Sequence, residues 1–450
     1  MATTIAIFIS LFSYYILMKF YSLCNIRLAG KKTHPLALFV IIQICIFSLP
    51  GVILISFLGF QSFRYDSINE SVKFEIGLWY IYSIMVFILF NCFFIKSFNI
   101  KSYNNNVSSI INYDQVISKA TTIFFIALLG LLAKLLLLKT PPIYYLLEGD
   151  FERAYQARIE IQLNQKDYYL PYIGNLTSLL SVYQFYFLYY FYTFSNKKSF
   201  YLKILLLASF SLACIECLYE TQKAPLIFML LGCVFIYYLK KHTIKKLIGA
   251  LAIIFIVGII LQSLVVGSDI ENALSSVSDR FLLGQNQGFY HIINSIKPDA
   301  KYWFSSFYFI ERLGVTPSRA DVDVIPYMTF YNGADLVNVN SYYLGEAWSM
   351  FGYYGLVFAP IIVAFSVALF VKVIDLFIDY KPIYFIPFSV YIIPEFRLNQ
   401  AFNYFLFGKE FVLKLIMVFF IAITIEILSN FSSMRHSKHI KFSSRDINDE

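Results

Sequence analysis

Charge is what this sequence has least of: acidic and basic side chains make up 14% of its 450 residues, against 59% apolar. A soluble domain carries roughly 25% charged residues because its surface must be wetted. This chain has too few to cover a water-facing exterior of its size. Histidine is scarce too, with five widely separated residues (His34, His242, His291, His436, His439), and no HExxH pattern marks a zinc hydrolase. Neither a GxxxxGK[ST] loop nor a strand-preceded GxGxxG occurs, which argues against ATP-driven transport by this chain. The six cysteines (Cys24, Cys45, Cys92, Cys214, Cys217, Cys233) lie in or beside apolar runs. Cys214 and Cys217 have CxxC spacing, but no second pair or histidine completes a metal set, so they read as small apolar residues outside any disulfide framework. No repeat of solenoid period is visible. The Met1-Ala-Thr-Thr start lacks the basic segment of a secretory signal, and Lys19 interrupts the first apolar run, which is expected to stay as a retained span. The net charge of +8 is dispersed among short polar segments, so no nucleic-acid partner is expected.

What is present is a series of apolar stretches near the ~20 residues that cross hydrocarbon as a helix. Candidate spans fall near 4–23, 36–58, 77–98, 119–139, 172–194, 203–220, 225–240, 247–267, 353–378, 383–396 and 410–430. The expected fold is an all-α polytopic membrane protein with about eleven transmembrane helices and a large loop between the eighth and ninth. In domain terms, 1–267 is a helical membrane region with a smaller loop near 140–171. The segment 268–341 is the large loop, 342–430 holds the C-terminal spans, and 431–450 is a tail. The 48 Phe and 36 Tyr are spread along the whole chain and read as compositional bias plus aromatic belts at headgroup depth.

One set of connecting loops and the tail carries 19 Lys and Arg, and the opposite set carries 13, five of them in the long loop to which the positive-inside rule hardly applies. The tail is therefore expected in the cytoplasm, with the N-terminus and both sizeable loops on the outer side. The acidic and basic residues of the first loop, from Glu148 to Glu160, suggest a surface helix. Neither loop has a disordered composition, and long ordered loops tend to carry function.

Candidate chemistry clusters on that outer side. Lys223 sits in a tight link between two spans, Arg312 and Arg319 sit in Glu311-Arg-Leu-Gly-Val-Thr-Pro-Ser-Arg319, and Arg397 follows the tenth span. A guanidinium at a membrane boundary is costly unless it reaches water or meets an anion, and its rigid fork suits phosphate oxygens. The alternative for each is a snorkelling anchor or an ion pair with an acid such as Glu395 or Glu311. Asp321-Val-Asp323 has DxD spacing, but reads as solvated loop charge more readily than as a metal site. The stretch Asn340-Ser-Tyr-Tyr-Leu-Gly-Glu-Ala-Trp-Ser-Met-Phe-Gly-Tyr-Tyr-Gly355 combines Gly345, Gly352 and Gly355 with Tyr342, Tyr343 and Trp348 as expected interface anchors. Glu346 is read there as an exposed acid near a helix N-terminus.

That stretch, with Lys223 between two spans, Pro317-Ser-Arg319 ending the loop and a late Arg397, resembles the O-antigen polymerases (the Wzy type) over roughly the second half of the chain. O-antigen ligases are similar but carry a histidine before the asparagine, where this sequence has Val339. The resemblance implies a glycosyltransferase of the bacterial inner membrane, acting in lipopolysaccharide or related polysaccharide biosynthesis. It would move a growing glycan from undecaprenyl pyrophosphate to a hydroxyl of a new lipid-linked repeat unit, without a cofactor. The partners it implies are undecaprenyl-pyrophosphate-linked oligosaccharide, membrane lipids and a chain-length regulator. Arg319, Arg397 and Glu346 are then the catalytic candidates, with Glu346 or Asp321 as base. Lys223, Arg312, Asp321, Tyr342 and Tyr343 are the substrate-binding candidates. The long loop counts eight acids against five bases, so a pyrophosphate site within it would have to be local. A ligase-like transferase and a flippase are the competing readings; against the latter, the loops are strongly unequal and mid-span cations are few, Lys134 and Lys414 being the clearest.

Overall fold

The computed structural model describes residues 1–30, 33–103, 113–137, 141–162, 171–266, 269–303, 305, 314, 318–328, 339–380, 382–400, 402–407, 412–420 and 422–423. These residues build an all-helical bundle. Eight helices are long and apolar enough to cross a membrane among the described residues: α1 (Ala2–Leu23), α2 (Leu36–Phe57), α3 (Glu70–Ser97), α4 (Tyr113–Leu137), α8 (Phe200–Leu218), α9 (Ala224–Lys241), α10 (Ile244–Val266) and α14 (Tyr353–Tyr380). The remaining three expected spans fare differently. The stretch at 172–194 forms α7 (Pro171–Phe194), whose many tyrosines lower its hydropathy. The one at 383–396 forms only α15 (Pro382–Ile392) and a short turn. That at 410–430 is helical at 412–420 and otherwise falls largely outside the described residues, as does the tail 431–450.

Packing explains why α7 is so aromatic. It lies against α4, α8, α9 and α15, with Leu179, Tyr183, Phe187 and Leu188 all fully buried. A helix apolar on every side belongs inside a bundle. By contrast, α1 and α10 present Phe8, Leu11, Ile253 and Leu264 outward, the surface expected of helices bathed in lipid. The α3–α14 contact is the most extensive in the bundle.

The sizeable loops are themselves structured. The first holds α5 (Pro142–Leu147) and the polar helix α6 (Phe151–Gln162), in line with the surface helix expected there. The long one holds α11 (Ile270–Asp279) and α12 (Gln287–Ser295) and leads into α13 (Tyr342–Phe351). These segments gather at one end of the bundle. The Arg64 side chain donates to Asp279 Oδ2 from Nε (2.9 Å) and to Gln287 Oε1 from Nη1 (2.8 Å). The Arg64 carbonyl, which can only accept, lies 2.8 Å from His291 Nε2, so that nitrogen carries the proton. Burial also holds His291 below its ordinary pKa, consistent with a neutral brace.

Between α13 and α14 the chain reverses at Gly352, whose φ of +59° disfavours a side chain. Three residues on, a Cβ at Gly355 would lie 2.0 Å from the Ala347 carbonyl oxygen, so glycine there permits close packing of α13 on α14. Helix α16 (Phe402–Phe407) follows the irregular segment 393–400.

Candidate functional site

The irregular segment 393–400 carries Arg397 and is held from two sides. From α2, buried Gln43 donates through Nε2 to the Pro394 carbonyl and accepts through Oε1 from the Leu398 N–H, each at 3.2 Å. Gln43 lies in a π-helical stretch, Val40–Ile46, and Pro50 follows where the ordinary helix restarts. Such π segments often occur at functional sites. From α13, the N–H of Tyr342 donates to Asn399 (3.2 Å) and that of Tyr343 to Leu398 (2.9 Å). Buried non-helical backbone needs partners for its polar groups, and these four bonds supply them at Pro394, Leu398 and Asn399.

Arg397 lines a cleft of about 290 Å³ bordered by α7, α9 and α15, together with Tyr186, Pro225, Tyr391, Gln400 and Lys414. Its guanidinium has no hydrogen-bond or ion-pair partner among the described residues. The Lys414 ammonium stands 5.3 Å above the Tyr391 ring. Gln400 Oε1 is buried with no donor among the described residues. Two cations lining one small cleft can hold an anion.

The other candidates lie elsewhere. Arg319 is exposed and grips Asp321 in its own turn, Nη2 to Oδ2 at 2.6 Å. Asp323 meets the Tyr302 hydroxyl at 3.1 Å and the Lys301 ammonium at 3.7 Å, so both acids of the DxD are engaged by neighbours. Glu346 is not an exposed first-turn acid: it is buried on α13 and accepts a hydrogen bond from Ser305. Tyr342 and Tyr343 are not interface anchors either. Both are wholly buried, with ring centroids 4.7 Å apart, because α13 is enclosed by α12, α14 and α16. Tyr342 also holds φ at +48°, an uncommon conformation for a bulky residue. Neither Glu346 nor these tyrosines line the cleft. Arg312 lies outside the described residues.

A larger open groove of about 520 Å³ runs past Trp303, Phe351, Tyr354, Phe358 and Phe402. It is apolar and contains none of the candidate cations.

Sequence reasoning missed Gln43, a lone amide in an apolar run with no motif to mark it. It also missed Glu216, whose carboxylate lies 2.6 Å from Lys134 Nζ with both side chains buried. Lys134 stands in addition over the Tyr219 ring at 3.8 Å. Lys223, expected near substrate, donates to Gln262 of α10. It lies two residues before Pro225 of the cleft wall.

No known protein family, curated protein or solved structure matches this chain.

Proposed function

We propose that this protein is a polysaccharide polymerase of the O-antigen type. It transfers a glycan from undecaprenyl pyrophosphate to a lipid-linked repeat unit on the outer face of the bacterial inner membrane. The observation that carries this reading is the cleft that Arg397, unpaired among the described residues, lines together with Lys414. In the reaction, a sugar hydroxyl oxygen of the acceptor bonds to the anomeric carbon of the donor. The bond from that carbon to the pyrophosphate breaks, its electron pair stays on the phosphate oxygen, and the hydroxyl proton is lost to a base or to water. Charge therefore builds on pyrophosphate, where fixed cations stabilise the transition state most. The cleft's size suits the pyrophosphate and an adjoining sugar, with the lipid and the remaining glycan extending beyond it.

Glu346 and Asp321 remain the base candidates of the sequence reading, although neither borders the cleft. A conformational change would have to bring either one to it.

One observation favours a transporter instead: the buried Lys134–Glu216 pair, since buried charges line many transport paths. Both residues, however, sit in the last turns of α4 and α8, away from the bundle's middle. The surface polysaccharide of cells lacking this gene decides among the readings. Loss of a polymerase leaves lipid A–core bearing one repeat unit. Loss of a ligase leaves none, and loss of a flippase traps the units inside.

A further inference from the structure

Three cations converge at the loop end of the bundle from three separate elements. Lys223 caps the start of α9 and reaches Gln262 of α10. Gln262 in turn donates to Ser276 of α11 at 3.1 Å. Arg280 is four residues past Ser276, which on a helix places the two on one face, so this chain of contacts leads from Lys223 toward Arg280. The third cation, Arg158, follows buried Ala154 and Ala157 on the inward face of α6.

Their charges act on one another. Burial first, then Arg280 and Arg158, bring the Lys223 ammonium down to about 8. Burial and Arg280 also hold the Arg158 guanidinium below its ordinary value, with Glu220 opposing. Glu220 is the nearby acid, and it also accepts from Gln222 at 2.9 Å. Asp279, next to Arg280 in the chain, is already gripped by Arg64. Glu216 is held by Lys134. Among the described residues neither Lys223 nor Arg280 has an ion-pair partner. Three cations against one nearby acid, Glu220, are unfavourable unless an anion joins them, and two guanidinium forks with an ammonium suit phosphate oxygens.

We propose that Lys223, Arg158 and Arg280 form a second anion site, distinct from the Arg397 cleft, that binds a phosphate or pyrophosphate group. The site stands independently of the reaction proposed above. Its anion could be a soluble pyrophosphate or the phosphate of a lipid headgroup, and the test separates these sources.

The full-length protein in nanodiscs is treated with acetic anhydride at pH 7.5, and acetylation of Lys223 is followed by mass spectrometry. In one arm the nanodiscs are phosphatidylcholine with or without inorganic pyrophosphate; in the other they contain phosphatidylglycerol and no added anion. The expected result is about tenfold slower labelling of Lys223 when the anion is present, the effect of charge-assisted hydrogen bonds of ordinary strength. Protection in the first arm identifies a soluble or substrate-borne group, and protection in the second a lipid headgroup. Arg158→Gln and Arg280→Gln, made singly and together, should each weaken the protection, while Arg397→Ala should leave it intact. The exposed Arg280→Gln keeps the test informative if the double variant does not fold. Equal labelling in every arm overturns the proposal, as does protection that vanishes in Arg397→Ala. A normal polysaccharide profile in the deletion strain would refute the polymerase reading and leave this site untouched.

Discussion

Gln43, buried in α2, donates a hydrogen bond to the carbonyl of Pro394, 351 residues further along the chain. With its second bond, to Leu398, it brackets the residue on which the proposed chemistry depends most. Replacing it by Met, of similar volume, leaves a buried N–H and a buried carbonyl without partners, at about 1–3 kcal/mol each. Gln43→Met should therefore lower the thermal midpoint in detergent and shorten the polysaccharide ladder, although Gln43 itself does not line the cleft. A normal ladder from the variant would show that Arg397 is positioned without it.

Arg397 separates a phosphate grip from a membrane anchor. If its guanidinium binds through two parallel hydrogen bonds, Lys keeps the charge and loses the geometry. Both Arg397→Ala and Arg397→Lys should then collapse the ladder toward one repeat unit, a loss of about 2–4 kcal/mol of transition-state stabilisation. Membrane abundance of each variant is the control. A near-normal ladder from Arg397→Lys would leave Arg397 as an anchor or a general charge.

The Lys134–Glu216 pair should behave as a structural tie. Removing one partner strands a buried charge, a loss of about 3–5 kcal/mol, whereas replacing both by apolar residues is far better tolerated. Lys134→Met alone should unfold easily, and Lys134→Met with Glu216→Leu should recover stability and polymer synthesis together. Recovered stability without synthesis would assign the pair a working role.

Lys223 makes stability and anion binding vary with pH in opposite senses. Its folded pKa of about 8 lies below the unfolded value. Between the two, the unfolded chain therefore binds more protons, and stability rises with pH. Relative to Lys223→Gln, the parent protein should gain thermal stability from pH 7 to pH 9.5. Over the same range the ammonium, faced by Arg158, Arg280 and Gln262, with Glu220 acting on Arg158, loses its charge, so pyrophosphate should bind more weakly. Parallel melting curves for parent and variant would mean that Lys223 titrates normally.

Orientation can be read by labelling. A cysteine at 436 should resist an impermeant thiol reagent in intact spheroplasts and one at 300 should react, on a background lacking reactive native thiols. The reverse pattern would put the cleft on the cytoplasmic side.

Much of the scaffold was legible because run length and apolar content alone decide which helices suit a bilayer. Arg397 stood out in the sequence because a guanidinium at a span boundary needs a physical explanation, but the cleft it lines is built by α7, α9 and α15, which no local pattern brings together. Glu346, Tyr342 and Tyr343 were misplaced because one helix's sequence does not reveal whether neighbours enclose it, and α13 is enclosed by three. Arg158 and Arg280 were seen only as loop charges, since 121 intervening residues hide their convergence with Lys223 from any local pattern.

The bonds from Tyr342 and Tyr343 to the 398–399 carbonyls carry a mechanical implication. Helix α13 is fastened at its start to the Arg397 segment, along its side to α12 of the long loop, and through Gly352 to α14. One helix thus ties the loop to the cleft. A molecule bound to the loop, without entering the cleft, would therefore be connected through α13 to the segment that carries Arg397.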